Sequence, residues 1–535
     1  MACARRGGKR FLAVFGLLTL WRTAVAAVVA AHVGSCTDPV IPERSMTANA
    51  GVIPGSAPVA PVECAVRSSH SLRLRGETIP YTAAAGYLVI RDGQDRPTAR
   101  IFYVAYTRLG VDRRSRPITF LFNGGPGSAS LWALMDSFGP VRIDTGGAEG
   151  PRLVTNEFSL LDVTDLMFID APMTGYSRLT ESSRPAGFAG IDPDIQAFRR
   201  IIEQYLTIYD RWLSPKYIFG ESYGTVRAAG LTAALQADGV AVRGVILQST
   251  VLNYNRRAPG VDLEYVVDLP SYAAIAWYFD KVPHTGSQEA FIEKARTFAN
   301  GPYAEALMAG DGLSSAQSDR IANGLAGITG LPVRYIKENH LRIPIARFRA
   351  EILRNRGLVI GRYDARVTGI DHDGALQEPT FDPSDTDSFS AYVTLFHDYV
   401  ATTLHFHSRL KYIVINFPLN RAWRFEHRPF LPTGNESTDP GVGDVGLDLG
   451  AAMRADPQLQ VFSSNGLYDL GTPFHGAEFD LAHNGFRSVD RERVHFGYYQ
   501  AGHMVYSDER ALRHLAADLG VFYRETCRCH QKGPS

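Results

Sequence analysis

Tyr217-Ile218-Phe219-Gly220-Glu221-Ser222-Tyr223-Gly224 sets a Gly-x-Ser-x-Gly pattern between a short apolar run and the helical stretch 225–235. A strand, a tight turn and a helix in that order put the Ser on a strained elbow, with its hydroxyl exposed above the sheet edge and near a helix amino terminus. Bulk at Gly220 or Gly224 would clash there. A plain Gly-rich turn is the competing reading of the five-residue pattern, and the surrounding segments argue against it. Short apolar runs at 118–122, 166–169, 217–219 and 245–247 are separated by amphipathic stretches. This alternation predicts βαβ units around a mostly parallel sheet. Segments 86–91 and 100–106 flank Asp92-Gly93 and predict an antiparallel hairpin ahead of it. Further strands are expected at 460–462 and 494–499, with a helix over 510–523.

Between 255 and 450 the pattern changes to helical segments at 271–280, 288–299, 315–326 and 345–354. An insertion interrupting one sheet fits this better than a separate domain. The expected division is a signal over 1–35, a Pro-rich leader over 36–64, core over 65–254, a helical cap over 255–450 and returning core over 451–535. Arg5, Arg6, Lys9 and Arg10 precede the apolar run 11–21, and small residues follow, which is the layout of an export signal. Two endings fit it. Val33-Gly34-Ser35-Cys36 is similar to a lipidation box that would anchor Cys36 to a membrane, and cleavage after a small residue would release a free protein. Cys64 is expected to pair with Cys527 or Cys529, stapling the two ends of the domain in an oxidising compartment.

The chain has 535 residues with 55 basic against 55 acidic side chains, 45% hydrophobic and 21% charged. That balance excludes a disordered chain and gives no basis for a nucleic-acid partner. The basic knot Arg113-Arg114-Ser115-Arg116 reads as the cap of a solvated turn before a strand. Five basic residues and no acid lie in 1–35, so the chain from Cys36 onward carries a net charge of −5. No metal site is expected. Cys527-Arg528-Cys529-His530 lacks a second ligand cluster, and Asp371-His372-Asp373 and His405-Phe406-His407 read as solvated turn and strand positions.

A second Gly-rich stretch, Asn123-Gly124-Gly125-Pro126-Gly127, ends the apolar run 118–122. It lacks the Lys and spacing of a phosphate loop, while its glycines let backbone amides approach a reacting carbonyl. With Ser222 as nucleophile, an acid and then a His should follow at later strand ends. Asp469 and His503 stand there in that order. His503 would take the Ser222 proton, and Asp469 would orient and stabilise the imidazolium.

Together Asn123–Gly127, Gly220–Gly224, Tyr468-Asp469 and Ala501-Gly502-His503-Met504 resemble the serine carboxypeptidase family, in its bacterial branch. Asp170–Ser177 is similar to a further stretch of that family, one residue shorter. Segments 269–278 and 361–366 also look like the bacterial branch. The resemblance covers about residues 85–510. It implies an α/β-hydrolase fold with an inserted helical cap, and no cofactor. It places Ser222, Asp469 and His503 in the triad and the amides of Gly125 and Tyr223 in the oxyanion hole. Asn123 and Glu221 fall on the substrate's terminal carboxylate, and Met504 falls beside the leaving-group pocket. Asp136 matches a further acidic position only with a one-residue shift. Ser128 stands at a common Cys position and Tyr506 at a common Pro, and neither change is expected to touch the chemistry directly.

The implied activity is exported, serine-type removal of the last amino acid from peptides with a free carboxylate. A Glu221 facing that carboxylate must hold a proton, so mildly acidic pH should favour turnover. An aminopeptidase, esterase or acyltransferase of the same fold is the rival among enzymes. A non-catalytic binding protein is the rival of another class, opposed by three intact catalytic residue types. The oligomeric state stays open.

Overall fold

Short, wholly buried runs such as Ile118–Phe122 and Gly244–Gln248 can only be the middle of a sheet covered on both faces. The computed structural model of the chain describes residues 36, 54, 59–146, 150–386, 389–432, 441–485 and 488–528. The main path of the central sheet is made by β1 (Cys64–Leu74), β2 (Glu77–Arg91), β3 (Pro97–Arg108), β4 (Ile118–Phe122), β5 (Asp165–Ile169), β6 (Lys216–Glu221), β7 (Gly244–Gln248), β8 (Gln460–Gly466) and β9 (Val494–Tyr499), with the short strand Arg178–Leu179 paired to β3 off that path. Their spatial order is β1-β2-β3-β5-β4-β6-β7-β8-β9. The first three are antiparallel to their neighbours, and from β5 to β9 every pairing is parallel. This is the α/β-hydrolase arrangement. The hairpin read from 86–106 is longer than its apolar segments, and β1 adds a strand whose Arg67, Ser69 and Ser71 give little apolar signal.

Helices close both faces. On one side α1 (Leu131–Asp136) opens the chain's path after β4, while α2 (Ile191–Ile208) and α3 (Tyr223–Ala237) pack over the opposite face. The chain leaves the sheet after β7 and returns at β8. Between them α4 (Leu263–Tyr278), α5 (Gln288–Phe298) and α6 (Ser315–Thr329) build a separate apolar core with Phe348, Leu467 and Phe474. Ser314 caps α6 by accepting from Gln317 N at 3.3 Å, while the Gln317 side chain accepts from Ser314 N at 2.9 Å. The remainder of the excursion behaves differently. Helix α7 (Phe389–Asp398) and residues 399–414 press Phe396, Tyr399 and Tyr412 onto the same face as α1. Helix α8 (Gly446–Ala455) then packs on α3. Helix α9 (Phe474–Ala482) follows β8, and α10 (Glu509–Arg528) follows β9. Among the described residues no helix is long and apolar enough to cross a membrane.

Two sequence expectations are overturned. Cys64 pairs with Cys36 rather than with Cys527 or Cys529. Cys527 lies 3.3 Å from the Tyr217 hydroxyl on β6, and four strands separate β6 from β1. At about 4.8 Å per strand that exceeds the ~7 Å Cα limit of a disulfide. Cys529 falls outside the described residues, as do 1–35 and most of the leader. A sulfur held in a disulfide carries no lipid, so the anchor considered at Cys36 is not supported. The second correction concerns Arg116. It is 8% exposed, and its Nε donates to Asp165 Oδ1 at 2.6 Å, so only the first part of the 113–116 knot is a solvated turn.

Candidate active site

Ser222 is the single residue between β6 and α3, with φ 60° and ψ −128°. A non-Gly residue at positive φ costs on the order of 1–3 kcal/mol and persists only where neighbours hold it. Here its N–H donates to Gln248 O at 2.9 Å, and the Thr225 hydroxyl donates to Ser222 O at 2.7 Å. Gly220 is obligatory, because a Cβ there would sit 2.0 Å from Gly224 O.

Loops after β8 and β9 carry the next two residues. Asp469 Oδ2 lies 2.8 Å from His503 Nδ1, with both side chains buried. The other Asp469 oxygen accepts from Gly471 N at 2.6 Å and Thr472 N at 3.1 Å, and Thr472 Oγ1 donates to Oδ2 at 2.7 Å. Burial alone would raise the Asp469 carboxyl, but the His503 charge and these donors hold it below the usual carboxylate range. Burial opposes charge on His503 too. The Asp469 charge and hydrogen bond outweigh it, and its pKa is raised. His503 N also donates to Tyr363 O at 2.6 Å.

Asn123 and Glu221 meet beside Ser222. Asn123 Nδ2 donates to Glu221 Oε1 at 2.7 Å, and Gln248 Nε2 donates to Oε2 at 2.9 Å. Ala133 N donates to Asn123 Oδ1 at 3.0 Å and fixes the amide's orientation. Burial pushes the Glu221 carboxyl up, against the positive field of His503 and the bonds from Tyr506 and Asn123. Tyr506 is therefore not remote from the site. Its hydroxyl accepts from Asn123 Nδ2 at 3.2 Å and also bonds Glu221. Asp136 is buried behind this group and accepts from the Tyr392 hydroxyl at 2.5 Å. Burial brings its carboxyl up to about 7. Tyr392 and Gln248 had no signal in the sequence, since neither belongs to a local pattern.

A cavity open to solvent is lined by Asn123, Gly125, Glu221, Ser222, His503 and Met504. Asp469 stands behind His503, outside that lining. The Tyr223 side chain is also outside it, packed on Trp423 at 5.3 Å, and its amide begins α3. A Cβ on Gly124 would fall 2.6 Å from Tyr223 N, so the Gly-rich loop lies directly against the start of α3. Gly125 itself has φ 103°. Tyr363 and Asp385 also line the cavity. Arg227 is a supporting residue that the sequence reading did not single out. Its Nη1 donates to Asn123 O at 2.9 Å and its Nε to Asp194 Oδ2 at 2.8 Å. A lone charge inside the apolar helix α3 was the available sign.

Residues 75–247 match the serine carboxypeptidase family. Among curated relatives, the serine carboxypeptidase ctsa-3.2 of Caenorhabditis elegans is 28% identical over 164 residues, 30% of this chain and 30% of its own length. The pheromone-processing carboxypeptidase KEX1 of Saccharomyces cerevisiae (strain JAY291) is 31% identical over 152 residues, 26% of this chain and 20% of its own. The chain thus matches less than a third of these relatives' length, and both are eukaryotic. The crystal structure of the prohormone-processing carboxypeptidase KEX1(delta)p from Saccharomyces cerevisiae superposes with a TM-score of 0.50 at 16% identity. It covers 83% of this chain and 91% of that one, and supports the fold.

Proposed function

We propose that this serine carboxypeptidase-like chain removes the C-terminal amino acid from peptides through an acyl-enzyme on Ser222, and that it works after export. Ser222 Oγ attacks the last peptide carbonyl while His503 accepts its proton, and Asp469 stabilises the imidazolium. The amides of Gly125 and Tyr223 receive the oxyanion. His503 then protonates the departing amine, and water, with His503 as base, releases the acyl group. The shortened peptide and the free amino acid are the products. Met504 would border the leaving-group pocket.

The observation that carries the reading is the buried Asn123–Glu221 pair on the cavity of Ser222 and His503. A protonated Glu221 donates to a carboxylate, whereas an ionised one repels it, and an ester or amide substrate needs neither. The domain division is proposed as one hydrolase unit, 65–254 with 451–535, split by the cap. Departure of the chain after β7, return at β8 and the separate core of α4–α6 support it. The bacterial-branch reading rests on the resemblance of the motifs and of segments 269–278 and 361–366 alone.

The test is a pH series with a blocked dipeptide as free acid and as amide. Because the Glu221 pKa is raised and its proton is needed, turnover of the free acid should fall as pH rises, and that of the amide less. Glu221→Gln keeps a donor at every pH and should flatten that fall. Identical profiles for the two substrates would reject carboxylate recognition by Glu221.

A further inference from the structure

On the β1–β3 side of the sheet, three neighbouring strands present small side chains in register. Arg67 faces Ala84, and Ala84 faces Ala105, while in the next row Ser69 faces Thr82, and Thr82 faces Thr107. Small residues in two adjacent rows leave a hollow that α2 does not fill. Tyr205 and Tyr209 at the end of α2 form its wall, and Arg113 and Arg211 close it from the turns before β4 and β6. The hollow opens to solvent, where Arg67 and Arg113 are exposed. It lies at the amino-terminal ends of the parallel strands, where Arg116, Asp165 and Lys216 sit, opposite the end that carries Ser222.

The charge there is unbalanced. Arg116 Nε and Arg211 Nη1 both donate to the Asp165 carboxylate at 2.6 Å, so two buried cations share one anion. Among the described residues neither Arg67 nor Arg113 enters an ion pair. The Arg67 guanidinium lies 5.5 Å over the Tyr209 ring, and the Tyr209 and Tyr103 hydroxyls share a hydrogen bond of 2.5 Å. Burial, together with the Arg211 charge, brings the nearby Lys216 amine down to about 8, as expected where cations crowd.

Guanidinium forks match tetrahedral oxyanions, and hydroxyls of Thr and Tyr complete such sites. We propose that this cavity is a second binding site, for a phosphate- or sulfate-bearing ligand, held by Arg67 and Arg113 with Thr82 and Thr107 on its floor. The buried Arg116–Asp165–Arg211 group supplies its positive background. Its position at the far end of the sheet makes it independent of the chemistry at Ser222.

Calorimetric titration of the full chain with inorganic phosphate, and separately with sulfate, tests the site at constant ionic strength. Saturable binding is expected, weakened at least tenfold in Arg67→Ala/Arg113→Ala, with peptidase turnover unchanged. Thr82→Leu keeps both arginines but fills the hollow, and should weaken binding as strongly. Vesicles of phosphatidylcholine with phosphatidic acid identify the source. Co-sedimentation that phosphate reverses assigns a lipid headgroup, and none assigns a free anion. No saturable binding of either ion would overturn the proposal. So would equal affinity in the double-arginine variant, or undiminished binding in Thr82→Leu, which would reduce the effect to surface charge.

Discussion

Asp136 and Glu221 are buried carboxyls that enter no ion pair among the described residues. Each is buried among neutral donors, Tyr392 for Asp136 and Asn123 with Gln248 for Glu221. Burial disfavours the charged form, so both hold their protons to higher pH than a solvated acid does. For Asp136 the folded value is about 7. An acid raised on folding stabilises the protein fully below its unfolded value, about 3.9, and that contribution is lost as pH rises through the folded value. Asp136→Asn has no proton to lose and can still accept from Tyr392. Its Tm relative to wild type should therefore climb between about pH 4 and about pH 8. A constant offset across that range would show that Asp136 ionises in the fold without penalty. The Asp136 position was marked in the sequence only by a shifted alignment, because what matters is Tyr392, far along the chain in the inserted region.

At the level of elements, Arg227 ties three segments into one frame. It joins α2 through Asp194, α3 on which it stands, and the loop after β4 through Asn123 O. Its guanidinium also lies 4.1 Å over the Phe198 ring. Both charges are buried, at 0% and 1% exposure, so removing one leaves the other stranded in an apolar interior. Arg227→Ala should cost about 3–5 kcal/mol in urea unfolding. A loss below about 1 kcal/mol would mean that water or relaxation reaches Asp194, and that the Asn123 loop is held by other contacts. The elbow belongs to the same scale: Ser222 holds its positive φ because β6, α3 and Gln248 over-determine the turn.

Across the whole molecule, the site draws on chain segments from Asn123 to Met504, brought together at the carboxyl ends of parallel strands. The Cys36–Cys64 bond works at the other margin, fastening the leader to the edge strand β1 over a separation of 28 residues. Closing a loop of that size restricts the unfolded chain by about 3–4 kcal/mol in the chain-entropy model. A non-reducing peptide map should recover the Cys36–Cys64 pair, and Cys64→Ala should lower stability by up to that amount. A map that recovers Cys64 linked to Cys527 would refute the pairing.

The α/β class was legible locally, because buried parallel strands must be apolar throughout and their spacing by amphipathic helices leaves one topology class. Gly220 and Gly124 were legible for the same kind of reason, since a close backbone approach admits no side chain. Ser222, Asp469 and His503 could be ordered along the chain as candidates. Only the tertiary structure decided that Asp469 reaches His503, that Tyr506, Gln248 and Tyr392 surround the buried acids, and that Arg116 turns inward to Asp165. It also decided that Cys64 meets Cys36. These are contacts between residues distant in sequence, whose partners depend on strand order and sheet width, and neither quantity is written in any local run of residues.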